Sequence, residues 1–362
     1  VLTKRIFVLG LGLAWAIGLA CIGLVYYLTY HPRPVEPVEV NGDPNAPLLQ
    51  AGQTVKIMTW NIQYLAGKAR QFFYEGGPDR RPSRDQIDTA LKAVAKTIMD
   101  EDPDIICLQE VDDGSKRTDY QDQLALLLSL LPAAYSQHAS AFYHKARFVP
   151  ERHILGPVGM KLCTISRYRI HSAVRYQLPL FPSGLIAQQF YFKRAVLEVR
   201  LPIAGGKDLV VLNTHLDAWT QGTDVSRQQV SFIANFLDRL DQQGLPWCLA
   251  GDLNILPPGP ARSRLSAQYQ AEYSEQSELD LLYRRYQAVP SLAQANGPDY
   301  ADWFTYWPNG QPDPDRTLDY IFLSSQLLLG PHRVIQRPRG SKDYLQASDH
   351  FPIVTQLHLH VH

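Results

Sequence analysis

Apolar residues along this chain gather into short unbroken runs divided by polar turns, and the runs have the length of strands. They fall at 55–60, 105–108, 161–166, 195–201, 209–213, 247–250, 320–323 and 353–359. Several are β-branched and continuous rather than alternating, as in strands covered on both faces. Other stretches carry helical spacing. Ser83 is a candidate N-cap with Asp85 two residues on, and Ile87, Leu91, Val94, Ala95 and Ile98 follow on one face. Residues 122–131 and 227–240 read the same way. Strands and helices intermixed like this predict a layered α/β domain, with a topology the pattern leaves open.

The longest apolar run lies at the start. Residues 6–30 carry no charge and are numerous enough to span a bilayer as a helix. Lys4 and Arg5 precede the run, which favours a cytoplasmic N-terminus, and Tyr26, Tyr27 and Tyr30 stand at its far end, where aromatic rings favour the interface. The expectation is an uncleaved, single-pass anchor over residues 1–30 with an extracytoplasmic domain beyond it. A cleaved signal peptide is the rival, but its apolar core is normally shorter. A lipoprotein site at Cys21 is weaker, because the apolar run continues past it. Residues 31–52 hold Pro32, Pro34, Pro37, Pro44 and Pro47 and few large apolar residues, which predicts an extended, semi-rigid tether rather than a packed element. The folded domain is then expected over 53–362.

Composition narrows the classes. The chain has 362 residues, 45% of them apolar, enough for one large domain or two small ones. Its formal net charge is zero, which weighs against nonspecific nucleic-acid binding without excluding a local basic groove. The four cysteines, Cys21, Cys107, Cys163 and Cys248, show no metal-type spacing, and Cys107 and Cys248 read as small core residues.

Polar residues interrupt the strand-like runs in a telling way. Trp60-Asn61, Gln109-Glu110, Asn213-Thr214-His215, Gly251-Asp252-Leu253-Asn254 and Ser348-Asp349-His350-Phe351-Pro352 each stand at or just beside such a run, and Asp319-Tyr320 opens another. Residues placed at the ends of buried strands can converge on one site. Magnesium-type sites need hard oxygen ligands, and Glu110 and Asp349 suit them. Asp252 can orient an attacking water, and Asn254, two residues on, faces the same side if the backbone is extended. His350, with Asp319 as partner, fits a histidine held by a carboxylate; His215 fits an acid or an oxyanion stabiliser. Singly, each has a plain structural reading: a strand-end Glu, a turn-capping Asn, a core His. Together they do not.

In order and type these clusters resemble the endonuclease/exonuclease/phosphatase superfamily of magnesium phosphoesterases, over about residues 55–357. The resemblance implies a four-layer sandwich of two packed mixed β-sheets flanked by helices, with the site at one end. It implies magnesium, or manganese, held by Asn61, Glu110 and Asp349. Asp252 would position the water and Asn254 the phosphate, Asp319 would orient His350, and His215 would contact the scissile phosphate. The abasic-site endonucleases carry Tyr-x-x-Asn where Asn213-Thr214-His215 stands here. A His at this place is similar to the deoxyribonuclease, neutral sphingomyelinase and inositol polyphosphate phosphatase branches. The carboxylate that steadies that His in the deoxyribonuclease branch has no match in this sequence.

Substrate clues are fewer. Trp303, Phe304, Tyr306 and Trp307 precede Asp319, and Phe72, Phe73 and Tyr74 follow Asn61. If exposed, such rings enter a lipid interface or stack on bases; if not, they are core. Arg147, Arg152, Lys161, Arg167, Arg169 and Arg175 make the middle locally basic, which suits an anionic headgroup, a nucleic acid or plain solvent. The sequence therefore predicts a membrane-anchored metal-dependent phosphodiesterase acting on phospholipid or sphingolipid headgroups. A surface nuclease is the alternative, and a non-catalytic binding module of the same fold a second. No protein partner is legible.

Overall fold

In the computed structural model, which describes residues 2–359, two seven-stranded mixed sheets pack face to face. The first sheet runs Val35–Val38, Ser172–Gln177, Ala195–Leu201, Leu209–His215, Trp247–Asp252, Asp319–Leu323 and Gln287–Val289 from edge to edge. The second runs Leu327–Val334, Ile353–Leu359, Thr54–Asn61, Ile105–Asp112, Gly156–Ser166, Gln137–Val149 and Val40–Asn41. Each has one parallel pair at its centre, Leu209–His215 with Trp247–Asp252 and Thr54–Asn61 with Ile105–Asp112; the other pairs are antiparallel.

Three packed layers explain the continuous apolar runs. Between the sheets lie Ile57, Cys107, Leu162, Leu197, Val211, Cys248 and Ile321. On the outer face of the second sheet, Met58, Trp60, Ile106 and Leu108 meet Ile87, Leu91, Val94 and Ile98 of helix Arg84–Glu101. Beyond the first sheet, Val210, Leu212, Trp247 and Leu249 meet Val230, Ile233 and Leu237 of helix Val225–Gln242. Neighbouring residues of one strand thus serve opposite layers, which is why apolar residues run on without alternation. The helix starts follow from caps. Ser83 Oγ accepts from Gln86 N at 3.3 Å while Gln86 Oε1 accepts from Ser83 N at 2.8 Å, and Asp122 accepts from two amides at the start of Gln123–Leu130.

One expectation needs correction, and one open alternative is decided. Residues 31–52 are extended but not free of the domain. Val35–Val38 pairs with Ser172–Gln177, Val40–Asn41 with Gln137–Val149, and Leu49–Gln50 with Ile203–Ala204, while Leu49 is wholly buried. Prolines are compatible with this because the added strands are short and lie at sheet edges. The aromatic segments also differ from a lipid-facing reading. Trp307 is buried against Phe351 and Tyr344, Phe72 is buried against Tyr64, and Trp303 packs on the core between the sheets.

Helix Leu2–Leu28 stands apart from these layers. Its stretch Lys4–Leu28 is long and apolar enough to cross a membrane and, up to its last turn, is exposed along its length. Its last turn docks on strand Gln137–Val149: Thr29 bridges Ala146, and Arg147 donates to Tyr27 Oη at 2.9 Å while lying over its ring.

Candidate active site

All the expected residues meet at one end of the sandwich, where the central strands finish. In the first sheet, His215, Asp252 and Asp319 are aligned in register on three adjacent strands, so they form one row. Gly251 makes this possible. It sits at φ 152°, and a Cβ there would lie 2.0 Å from the Thr214 carbonyl oxygen. In the second sheet Asn61 is paired with Gln109. Register then slips between Leu108 and Val111, and within this bulge Glu110 has φ 55°. The bulge re-aims the Glu110 side chain toward Asn61.

The hydrogen bonds knit the two rows together. Asn61 Nδ2 donates to Asp252 Oδ2 at 3.0 Å and to Glu110 Oε1 at 3.3 Å, bridging the sheets. Asp252 Oδ1 accepts from the Asn254 amide at 2.9 Å. Asn254 reaches the site through this turn, at φ 52°, and not by the extended alternation that the sequence suggested. Its Nδ2 lies 3.0 Å from His215 Nε2. His350 Nδ1 donates to Asp319 Oδ2 at 2.7 Å, and its Nε2 lies 3.6 Å from Asp252 Oδ2, beyond hydrogen-bond length. Asp349 Oδ2 accepts from Gln63 Nε2 at 2.9 Å.

Burial sets the charges. It pushes the Asp252 carboxyl up to about 7; Asp319 adds to the rise and His350 opposes it. Asp349 is likewise pushed up to about 7 by burial, with Glu75 and Glu110 adding to it. For His350 burial opposes the charged form, but Asp319 and Asp252 outweigh it and hold the imidazolium up to about 10. Burial pushes His215 the other way, well below the usual histidine range, with help from Arg194 and His350. The two histidines therefore enter the site in different states, one cationic and one neutral.

Four residues around this set carry no signal in the runs and motifs. Gln63 holds Asp349, and its Oε1 is buried without a partner among the described residues. Tyr143 Oη lies 3.3 Å from His215 Nδ1, so a phenol stands where a carboxylate was sought. Arg194 pairs through Nε with Asp217 at 3.1 Å and lies over the rings of Phe192 and Tyr143, with one terminal nitrogen buried and unpartnered among the described residues. Thr305 accepts from the amides of Leu318 and Asp319, and its carbonyl from Phe351 N, so the 303–307 segment joins Asp319 to the His350 loop. Gln109 and Asn213, singled out in the sequence, are supports beneath the site. Gln109 Nε2 donates to Asn213 Oδ1 at 2.7 Å across the two sheets.

A divalent cation fits this donor set. Glu110 and Asp349 supply hard oxygens, their mutual repulsion helps raise Asp349, and Gln63 Oε1 has no partner. Asn61 fits less directly, since its Oδ1 already accepts from Gln63 N at 3.0 Å. Asp252, Asp319 and His350 also place ligand atoms within 4.8 Å of one another. There, however, the His350–Asp319 bond occupies Nδ1, and the set mixes nitrogen with oxygen, so it reads better as a histidine oriented and charged by its carboxylate than as a magnesium cage.

A two-sheet sandwich with this row of acids, amides and histidines at one end is the framework of metal-dependent phosphoesterases. The chain matches the Endonuclease/Exonuclease/phosphatase family over residues 58–350 and belongs to it. Among solved structures it is similar to an endonuclease/exonuclease/phosphatase from Beutenbergia cavernae, with TM-score 0.55 and 23% identity over 85% of this chain and 72% of that one. It is also similar to the human Nocturnin catalytic domain, with TM-score 0.52 and 18% identity over 88% and 96%. D. rerio TDP2 complexed with a single-strand DNA product gives TM-score 0.52 and 13% identity over 84% and 99%. At these identities the likeness speaks for the fold. No curated protein matches the sequence.

Proposed function

We propose that the protein is a divalent-metal-dependent phosphodiesterase held on a membrane by its N-terminal helix. The observation that carries the chemistry is the in-register row His215–Asp252–Asp319 with His350 set between the last two. Glu110 and Asp349, assisted by Asn61 or Gln63, would hold the ion; when bound, it supplies a Lewis acid for a phosphate oxygen. Asp252, fixed by Asn61 and the Asn254 amide, orients the attacking water and takes its proton. The water oxygen bonds to phosphorus as the bond to the ester oxygen breaks in line; the leaving oxygen takes a proton from solvent and Asp252 gives up the one it took, so a diester and water become a monoester and an alcohol. The His350 imidazolium neutralises charge on the phosphate oxygens, and Asn254 with neutral His215 lines the same pocket.

Lipid headgroups are the favoured substrate class, because an anchor raises the local concentration of diesters in the same bilayer. The second reading, a surface nuclease, is favoured by one observation: the fold of D. rerio TDP2 was solved with a DNA product. The test uses the full chain in vesicles with and without magnesium. Substrates are vesicle-borne sphingomyelin and phosphatidylcholine, single-stranded DNA and a small soluble diester. Magnesium-dependent lipid turnover supports the proposal. DNA turnover alone puts the nuclease first, and no turnover of any diester leaves the non-catalytic module. A carbonate wash that strips the chain from membranes sinks the anchor.

A further inference from the structure

Among the described residues, an apolar face beside the exit of the N-terminal helix is left uncovered. Leu185 and Ile186, on the short helix Leu185–Phe190, are 85% and 70% exposed; Leu180 is exposed five residues earlier and Phe148 on strand Gln137–Val149. This short helix lies against both helix Leu2–Leu28 and strand Gln137–Val149, the strand that seats the long helix through Thr29 and Tyr27. Phe190 is fixed to that strand by its carbonyl, 3.1 Å from His144 Nε2. Lys145 and Arg147 on the same strand are solvent-exposed.

A second exposed ring borders the same region. Trp219 is 59% exposed at φ 51°, four residues after His215. Its loop is tied to the 178–194 connection through Gln229, whose Nε2 donates to Pro179 O and to Asp217 Oδ2, each at 2.8 Å. The 178–194 connection ends in Arg194, which meets Asp217 beside His215. One side of the site is therefore bordered by the ends of two joined segments, one carrying Trp219 and the other Leu180, Leu185 and Ile186.

We infer that this rim is a bilayer-docking surface, with Leu185, Ile186 and Trp219 seated at the headgroup boundary and Lys145 and Arg147 at the level of anionic headgroups. The inference rests on the proposed reading of helix Leu2–Leu28 as a bilayer anchor. A helix that enters the bilayer next to Leu185 brings that residue to the lipid surface, and apolar side chains there leave water. Basic side chains at the same height add attraction to an anionic leaflet, and a tryptophan ring suits the interface. Docked this way, the site opens along the membrane surface.

Cysteine labelling of the full chain in phosphatidylcholine/phosphatidylglycerol vesicles tests this. A polarity-sensitive fluorophore goes on native Cys21, inside the long helix, or on Ile186→Cys or Leu328→Cys in a Cys21→Ser background. Cys107, Cys163 and Cys248 are buried and burial raises their thiols, so they stay unlabelled. Leu328 is exposed on the edge strand of the second sheet farthest from Gln137–Val149 and Val40–Asn41. We expect quenching by nitroxide lipid at 21 and at 186 and none at 328. A Leu185→Asp/Ile186→Asp variant should lower the docked population by on the order of a hundredfold. Quenching at 21 with position 186 left in water overturns the docking surface and leaves the anchor standing. Failure at both positions overturns the anchor reading and the surface with it. Shielding at 186 that grows with protein concentration and not with nitroxide lipid means a second copy covers the face, which also overturns it.

Discussion

Glu110, Asp252 and Asp319 lie within or at the ends of apolar strand-like runs, and burying a charge there is costly unless it works with partners. Gln63, Tyr143 and Arg194 were illegible because their roles depend on which side chain of another strand they face, and no local pattern encodes that. His350→Ala should lower kcat by about a hundredfold or more, since it removes the charge that Asp319 holds in place. Unchanged turnover in a folded variant makes the histidine structural. Arg194 has a guanidinium nitrogen beside His215 that meets no partner among the described residues. If a substrate phosphate takes it, Arg194→Met should cost about tenfold to a hundredfold in kcat/KM, with partial recovery in Arg194→Lys. A lower melting temperature with normal kcat/KM assigns it to the Asp217 pair alone.

Elements were legible where both faces are covered and obscure where one face meets water. Thr54–Asn61, Ile105–Asp112 and Trp247–Asp252 show as apolar runs because separate cores lie on either side. Gln137–Val149 escaped notice. It alternates buried and exposed residues, with Gln137 and Tyr143 inward, and its composition is half polar. Ser172–Gln177 and Leu327–Val334 escaped for the same reason. Gln137–Val149 also predicts a pH effect. Burial holds His144 neutral down to about 3, with its ring against the Phe190 carbonyl. The unfolded chain takes up the proton near the ordinary histidine value of about 6.5. Its folded pKa is depressed, so its contribution is complete above about 6.5 and is lost progressively as pH falls from there toward about 3. The slope approaches about 1.4 kcal/mol per pH unit for one proton. Urea unfolding at pH 7.5 and pH 5 should show a steeper acid loss in the wild type than in His144→Gln. Parallel losses in the two proteins rule out this histidine as the cause.

At the scale of the whole molecule, sequence pattern separated the apolar helix from the rest but misjudged what lies between. A proline-rich stretch with few large apolar residues looks like a tether because edge strands need little side-chain burial of their own; they are held by backbone bonds to the sheet. Here Gln177 N donates to Pro34 O at 2.8 Å, Arg169 N to Pro47 O at 2.9 Å and Leu49 N to Pro202 O at 3.2 Å. Gln137 Nε2 donates to Asp43 O at 2.6 Å. The folded unit therefore starts well before Gln53, and two truncations separate the readings. Removal of residues up to Tyr30 leaves every one of these bonds in place, so that fragment should remain soluble and unfold at nearly the same temperature as the full chain in detergent. Removal up to Gly52 strips Val35–Val38, Val40–Asn41 and Leu49–Gln50. It bares the edges of Ser172–Gln177 and Gln137–Val149, and it opens a hole where Leu49 was. Losing a buried leucine alone costs about 2–5 kcal/mol, and bared edge strands pair with other chains. The shorter fragment should melt well below the longer one or aggregate on purification. Equal melting temperatures for the two fragments refute the assignment of 31–52 to the folded unit and restore the tether.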